Sequence, residues 1–464
     1  MPTRTHSTSA PTALRAAVLA DSDTRWKWGA LTARRLVSTD QSDNPQDIRL
    51  DGFLLRGRST PTVRQLREVG VRADALREVT GAEFVRAVDR ERYDVIVLSC
   101  VGGGVQAMLH GLSRAWATPA GSAGGRRPVV VTGYVGVVYE KLADGLLLRH
   151  GADVVLANSR YDADRFREVY RGVGAADDGV VECALPFLGG ARYDAEARKG
   201  RRHPGGTVVF AVQPSVPDNR EDRGYLLRRA LEHARKHPDR EVLVKLRSKP
   251  GEHTTHIEEL PYQKLAARID GGTPANFRLA YGNMGEVLDT ADLLVTVSST
   301  AALESLHRGV PTAILTDLGV REALGNHHFL GSGCLASWDQ LDQGHLPEPD
   351  PEWLARQGVC ADGSYITAFD AARARVAELA AAPALPPLTP YYSRTTAPGY
   401  LPRVLDRYGF RPDGTPRPGA PGADTAEAGA LRRAVRSTVR EAARGAYRHG
   451  VQRVAPVIRR MGEL

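Results

Sequence analysis

Three short stretches of this chain crowd ionisable and hydroxyl side chains together. The first, Asp21-Ser-Asp-Thr-Arg-Trp-Lys-Trp-Gly29, carries two carboxylates, two cations and two indoles. Asp23 in this turn could take a proton from a hydroxyl as a general base. It could equally cap a helix that starts here, with the tryptophans as packing. The second stretch runs from Lys245 and Arg247 through Lys249, Glu252, His253 and His256 to Glu258 and Glu259. Its cations suit a phosphate. His253 and His256 with Glu252 lack the H-E-x-x-H pattern, and Gly251 discourages a helix start, so no metal site is expected. The third is Ser298-Ser299-Thr300, followed by Glu304. Free N–H groups at a helix start with hydroxyls beside them suit a phosphate, although three good N-caps in a row also serve a helix that binds nothing.

These stretches sit at the ends of apolar runs. Leu293 to Val297 is a continuous apolar strand leading into the hydroxyl turn. A helix from about Ala301 follows, ended by Gly309-Val310-Pro311, and Thr312 to Leu315 is the next strand. Leu14 to Asp21 is a strand running into the first stretch, and Glu241 to Leu246 is a strand running into the second. Between them lie further strands at 47–55, 93–99, 128–139, 154–157, 180–185, 207–213 and 277–281. Helices are expected at 60–69, about 83–88, up to Trp116, up to His150, from Asn158, and at 223–236, 258–269 and 368–382. Such alternation is the pattern of a parallel, doubly wound sheet, whose ligands gather at the C-terminal ends of the strands. Gly102-Gly103-Gly104 lets backbone approach closely but makes no dinucleotide site by itself, and no G-x-x-x-x-G-K-[ST] loop exists. Residues 191–206 turn charged and Gly-rich, which marks an interdomain linker.

With 464 residues the chain has room for two or three domains. No apolar run approaches the roughly 18 residues of a membrane span, and residues 1–12 are polar, a loose tail with no apolar core of a signal peptide. The four cysteines, Cys100, Cys183, Cys334 and Cys360, have neither ligand spacing nor disulfide density, as expected in a reducing cytoplasm. The net charge of +8 is concentrated late. A Pro/Gly-rich linker leads into residues 426–460, where nine arginines stand beside an apolar stripe that includes Leu431, Val435 and Val439. A basic amphipathic helix of this kind suits an anionic membrane surface; nucleic acid and simple helix packing are its rivals.

The Leu293–Leu315 unit, with Glu304 in the first turns of its helix and a closing Gly-x-Pro, resembles the donor half of GT-B glycosyltransferases. The whole chain is similar to a family of actinobacterial proteins assigned as glycosyltransferases, which begin with the Asp21–Gly29 signature. The resemblance implies an α/β GT-B fold: two Rossmann-like domains with a cleft between them, plus the C-terminal basic helix. The expected divisions are a tail (1–12), an acceptor domain (13–195), a donor domain (205–345), helices packing back on the body (346–410), a linker (411–425) and the basic helix (426–464). It implies a nucleotide-sugar donor with its phosphate on Ser298, Ser299 and Thr300, near Glu304, and gripped by Lys245, Arg247 and His256. The likeness extends to transferases of CMP-activated acidic sugars, whose His-Pro pair is absent here. Asp23 is then the catalytic base, Arg25, Trp26 and Lys27 are the acceptor contacts, and Trp26 or Trp28 stacks on a sugar ring.

The expected activity is transfer of a sugar to a cell-envelope or capsular glycan or a lipid-linked acceptor. It is expected to be inverting, metal-independent and without a cofactor, in the cytoplasm and peripheral on the plasma membrane, with no nucleic-acid partner. A teichoic-acid-type polyol-phosphate transferase, a sugar-nucleotide 2-epimerase and a non-catalytic membrane-associated binding protein are the rivals. The epimerase's late turn usually reads Ser-Gly-Gly before two glutamates, unlike Ser-Ser-Thr-Ala-Ala-Leu-Glu304.

Overall fold

The computed structural model describes residues 14–37, 48–57, 59–117, 126–137, 141–198, 203–249, 252, 258, 260–269, 272–359 and 364–417. Residues 1–13, His253, His256, Cys360 and the basic segment 426–464 lie outside the described residues, so the expectations placed on them do too.

Apolar runs that are buried on both faces become two parallel sheets. The first comprises β1 (Leu14–Ala20), β2 (Ile48–Leu55), β3 (Ala75–Val79), β4 (Val95–Ser99), β5 (Val129–Gly133), β6 (Val154–Ala157) and β7 (Val180–Glu182), in the order β3-β2-β1-β4-β5-β6-β7. The second comprises β8 (Thr207–Ala211), β9 (Glu241–Lys245), β10 (Phe277–Ala280), β11 (Leu293–Thr296), β12 (Thr312–Leu315) and β13 (Leu335–Ala336), in the order β10-β9-β8-β11-β12-β13. The strand order reverses between β1 and β4 in one sheet and between β8 and β11 in the other. Each reversal opens a crevice beyond the strand ends.

The helix Asp23–Val37 lies over the first crevice and is bedded unusually close. A Cβ on its Gly29 would come within 2.7 Å of Val18 and 2.8 Å of Ser99. Its two indoles reach sideways over the sheet: Trp26 lies against Gly52 of β2, and Trp28 against Gly133 of β5. Both are fully buried, and each such burial contributes roughly 2–3 kcal/mol. The opposite face of the sheet is filled by Val105, Met108 and Leu109 of the helix Gly102–Ala115. The helix Asp370–Ala381 crosses back onto the first domain. Arg373 donates to the Arg35 carbonyl at 3.1 Å, and Tyr365, just before the helix, donates to that of Leu185 at 2.7 Å.

Several boundaries differ from the sequence reading. Strand β3 was not anticipated, because as an edge strand it exposes most of its residues and reads Ala-Leu-Arg-Glu-Val. The strand expected over 128–139 stops at Gly133, and Tyr134, Val135 and Val137 leave the sheet to line the cleft. The helix expected over 258–269 shortens to Tyr262–Ala266, with Pro261 setting its start. The first residues of the expected linker are folded: Arg411 N donates to Thr415 O at 2.7 Å, and Gly414 packs on the His110 carbonyl.

Candidate active site

The ends of β1 and β9 face each other across a cleft of about 1050 Å³ lined by both domains. Asp21 follows β1 and is used structurally. One carboxylate oxygen accepts from the Val101 amide at 2.9 Å, and the other pairs with Arg25 at 3.0 Å. Asp23 opens the first helix. Its Oδ1 accepts from the Thr24 amide at 2.8 Å and from Arg247, arriving from the other domain, also at 2.8 Å. Burial pushes the Asp23 carboxyl up, but the Arg247 charge and these hydrogen bonds outweigh it and hold the group below the usual aspartate range.

Lys27 crosses the same gap in the opposite sense, pairing with Glu304 at 3.3 Å and lying 4.6 Å from the Phe187 ring centre. Expected acceptor and donor groups are thus tied to one another in two interdomain ion pairs. Trp26 needs correction as an acceptor contact. Fully buried, it donates from Nε1 to the Val71 carbonyl at 3.2 Å, and Trp28 donates to Asn158 Oδ1 at 3.2 Å. Neither ring face is open to a sugar, because the close bedding of the helix turns both indoles into its core.

On the donor side, Lys245 ends β9 and is buried. Its ammonium donates to the Leu246 carbonyl at 2.7 Å, and among the described residues no carboxylate lies within ion-pair distance of it. Burial pushes its pKa down to about 8, with Glu68 raising it and Arg247 and Arg64 lowering it further. Beside it, β11 delivers the hydroxyl turn to the start of the helix Ala301–Arg308. Ser298 is committed to holding that turn: its hydroxyl donates to the Leu324 carbonyl at 2.5 Å and its amide to Gln213 Oε1 at 3.1 Å. Ser299 Oγ accepts from the Ala301 amide at 3.2 Å, so it, and not Thr300, caps the helix through its side chain. Thr300 Oγ1 sits against Gly136 of the first domain, where a Cβ would come within 2.7 Å.

Sequence reasoning missed two cleft residues. Gln213, two residues past β8, accepts from the Ser298 amide much as Asp21, one residue past β1, accepts from that of Val101, and its nearness to a strand end could have signalled it. Arg149 had no signal at all, since a cation after a helix is ordinary. Away from the cleft, ligand atoms of His233, His237 and Asp342 lie within 4.8 Å of one another. Asp342 is already held by His233 at 2.7 Å, Lys236 at 2.6 Å and Arg229 at 3.2 Å, so its carboxylate is taken up by these donors.

Two Rossmann-like domains of matching strand order, facing each other across a cleft built from both reversal points, define the GT-B fold. The chain belongs to the family described as "Putative glycosyltransferase (DUF6716)", which matches residues 16–379. By that family membership it is a glycosyltransferase. Similar solved structures include UDP-GlcNAc 2-epimerase from Neisseria meningitidis bound to UDP-GlcNAc (10% identity, 79% of this chain and 100% of that one, TM-score 0.45). S. aureus MnaA with UDP has 10% identity, 76% and 94% coverage and TM-score 0.47. The glycosyltransferase SnogD from Streptomyces nogalater has 15% identity, 79% and 95% coverage and TM-score 0.39. No curated protein matches the sequence.

Proposed function

We propose that this chain transfers a sugar from a nucleotide-sugar donor to a cell-envelope or capsular acceptor, with inversion and without a metal. The observation that carries this reading is Lys245: a buried ammonium with no carboxylate partner among the described residues, beside the Ser299–Ala301 helix start and across the cleft from Asp23. A buried charge left without a partner is costly, and an anion placed against it relieves that cost. The donor phosphate lies on the Ser299, Thr300 and Ala301 turn and against Lys245, where backbone amides and the ammonium take up the charge of the leaving nucleotide.

The acceptor hydroxyl attacks the anomeric carbon from the Asp23 side. The new carbon–oxygen bond forms as the bond to phosphate breaks, and the hydroxyl proton passes to Asp23. In the structure Arg247 holds that carboxylate, which makes it a poor base. Donor phosphate draws Arg247 away and frees Asp23, so donor binds before acceptor. The basic segment 426–464 holds the enzyme to an anionic membrane surface, where such an acceptor is found.

The test is a thermal-shift panel of CMP-, UDP-, GDP-, CDP- and dTDP-compounds on the full chain, since a ligand of the native state raises its melting point. One compound class should stand out, and wild type but not Lys245→Ala should respond to it. Stabilisation by a CDP-polyol alone would move the reading to polyol-phosphate transfer. Epimerisation of a sugar nucleotide with no acceptor present would move it to the epimerase.

A further inference from the structure

A second buried cation lies in the N-terminal half of the cleft, and neither the donor nor the base uses it. Arg149 follows the helix Leu142–Leu147 and is only 4% exposed, yet it lines the cleft. Its guanidinium reaches across the ends of β4 and β5. Nε donates to the Gly133 carbonyl at 2.9 Å, Nη1 to Gly145 O at 2.7 Å and Nη2 to Cys100 O at 3.4 Å. Tyr134 lies beneath it, with the ring centre 4.0 Å from Cζ. Gly102 leaves the room: a Cβ there would come within 2.7 Å of Leu148 and 3.4 Å of Arg149 Nη1.

Five N–H groups are available on a guanidinium, and three are matched here, all to neutral carbonyls. Among the described residues no carboxylate pairs with Arg149. The nearby Asp21 is occupied by Arg25 and the Val101 amide. Burial accordingly holds Arg149 below the usual arginine range, with Arg25 pushing the same way, but an arginine stays cationic at any working pH. The Asp21–Arg25, Asp23–Arg247 and Lys27–Glu304 pairs each balance internally. Among the described residues of the cleft, Lys245 from the donor domain and Arg149 from the other are buried cations without a carboxylate partner. Lys245 lies beside the Ser299 turn, whereas the hydrogen bonds of Arg149 all go to first-domain carbonyls.

We propose that Arg149 is the floor of an acceptor subsite for an anionic group, so that the acceptor carries a carboxylate or a phosphate near the hydroxyl it offers. This rests on the transferase reading of the cleft and adds the acceptor's class to it. The site lies where β1, β4 and β5 end side by side, at the reversal point of the first sheet, and Asp23 lines the same cleft from the end of β1. The planar fork with two donors still unmatched suits a two-oxygen anion.

Glucuronate and glucose differ mainly in a carboxylate against a neutral group, which makes them the probe pair. Binding of each to the full chain is measured by calorimetry for wild type, Arg149→Gln and Lys245→Ala, with inorganic phosphate as competitor. The expected result is that wild type prefers glucuronate by about tenfold or more, that phosphate displaces it, and that Lys245→Ala keeps the preference. Arg149→Gln should lose the preference and still bind nucleotide. Equal binding of glucuronate and glucose overturns the inference, as does an unchanged preference in Arg149→Gln. Loss of the preference in Lys245→Ala also overturns it, because the probe then sat on the donor cation. If Arg149→Gln fails to fold, equal binding of the two probes by wild type, or loss of the preference in Lys245→Ala, still overturns the inference. Failure of every nucleotide to bind, with the glucuronate preference intact, would remove the donor reading and leave the anion subsite standing.

Discussion

Lys245 and Arg247 stand two residues apart and do different work. Lys245 is buried and lacks a carboxylate partner among the described residues, whereas Arg247 bridges the domains to Asp23. Replacing Lys245, Arg247 or Ser299 by Ala should each weaken nucleotide binding by about 1–3 kcal/mol through lost hydrogen bonds to phosphate; unchanged affinity by calorimetry in all three would remove the donor site from this turn. The lysine adds a pH signature. With its pKa pushed down to about 8, it is charged below that pH and neutral above it. Nucleotide affinity should be full on the acid side and fall as pH rises through this value, and Lys245→Arg should abolish the fall because arginine keeps its proton. A flat affinity between about pH 7 and 9.5 would contradict it.

Asp23 behaves in the opposite sense. In the free enzyme Arg247 keeps it ionised below the usual aspartate range, so the acid limb of kcat/KM should lie low in wild type. It should move upward in Arg247→Ala, where only the Thr24 hydrogen bonds still oppose burial. Asp23→Asn should spare nucleotide binding and lower turnover by about a hundredfold or more; normal turnover would make Asp23 only part of the helix start.

The first helix places the base at the scale of an element, and its placement depends on Gly29. Adding a methyl there drives Cβ into Val18 and Ser99 at under 3 Å. Gly29→Ala should destabilise the fold by about 1–3 kcal/mol by overpacking, read as a lower urea midpoint. It should also lower turnover more than nucleotide affinity, since the shifted helix carries Asp23 and the donor site does not move with it. A variant with wild-type midpoint and turnover would show that helix and sheet yield without consequence. The same close bedding explains why Trp26 and Trp28 misled the sequence reading. Indoles beside two acids and two cations suggest sugar stacking, but Gly52 and Gly133 provide the hollows that bury them.

Across the whole molecule one buried apolar cluster includes residues of both domains, Leu185 and Leu188 with Leu303 and Leu306 among them, and at the cleft itself polar contacts join the two. Asp23–Arg247, Lys27–Glu304 and Arg64–Glu252 pair across it, and Glu68 Oε1 accepts from the Gly282 amide at 2.7 Å. Such polar contacts can be exchanged for ligand contacts when a donor enters the cleft. Gly136 meets Thr300 at this seam, so Gly136→Val should raise KM for the donor while leaving the melting point within a degree or two; an unchanged KM would mean that this approach is incidental. Deleting residues 424–464 should leave the body folded and release it from anionic vesicles. Each arginine near such a surface contributes on the order of 1 kcal/mol, and salt should weaken the attachment. Equal pelleting of full-length and truncated protein would leave the membrane role without support, and tighter binding to nucleic acid than to vesicles would replace it.

The sequence by itself determined the alternation of strands and helices. Buried parallel strands are continuous apolar runs, and both the Asp21 turn and the Ser298 turn could be placed at strand ends before any fold was known. It also supplied the candidates Asp23, Lys245, Arg247 and Ser299, which the fold does gather in one cleft. Edge strands β3 and β13 escaped it, because one is mostly exposed and the other is two residues long. Tertiary structure alone decided which polar groups are free and which are already used. Asp23 and Arg247 are 224 residues apart in sequence and share a hydrogen bond, Ser298 spends its hydroxyl on Leu324, and Arg149 is buried against three carbonyls with no carboxylate paired to it among the described residues. Whether a charge is balanced depends on distances in space between distant segments, and no local spacing in the chain records those distances.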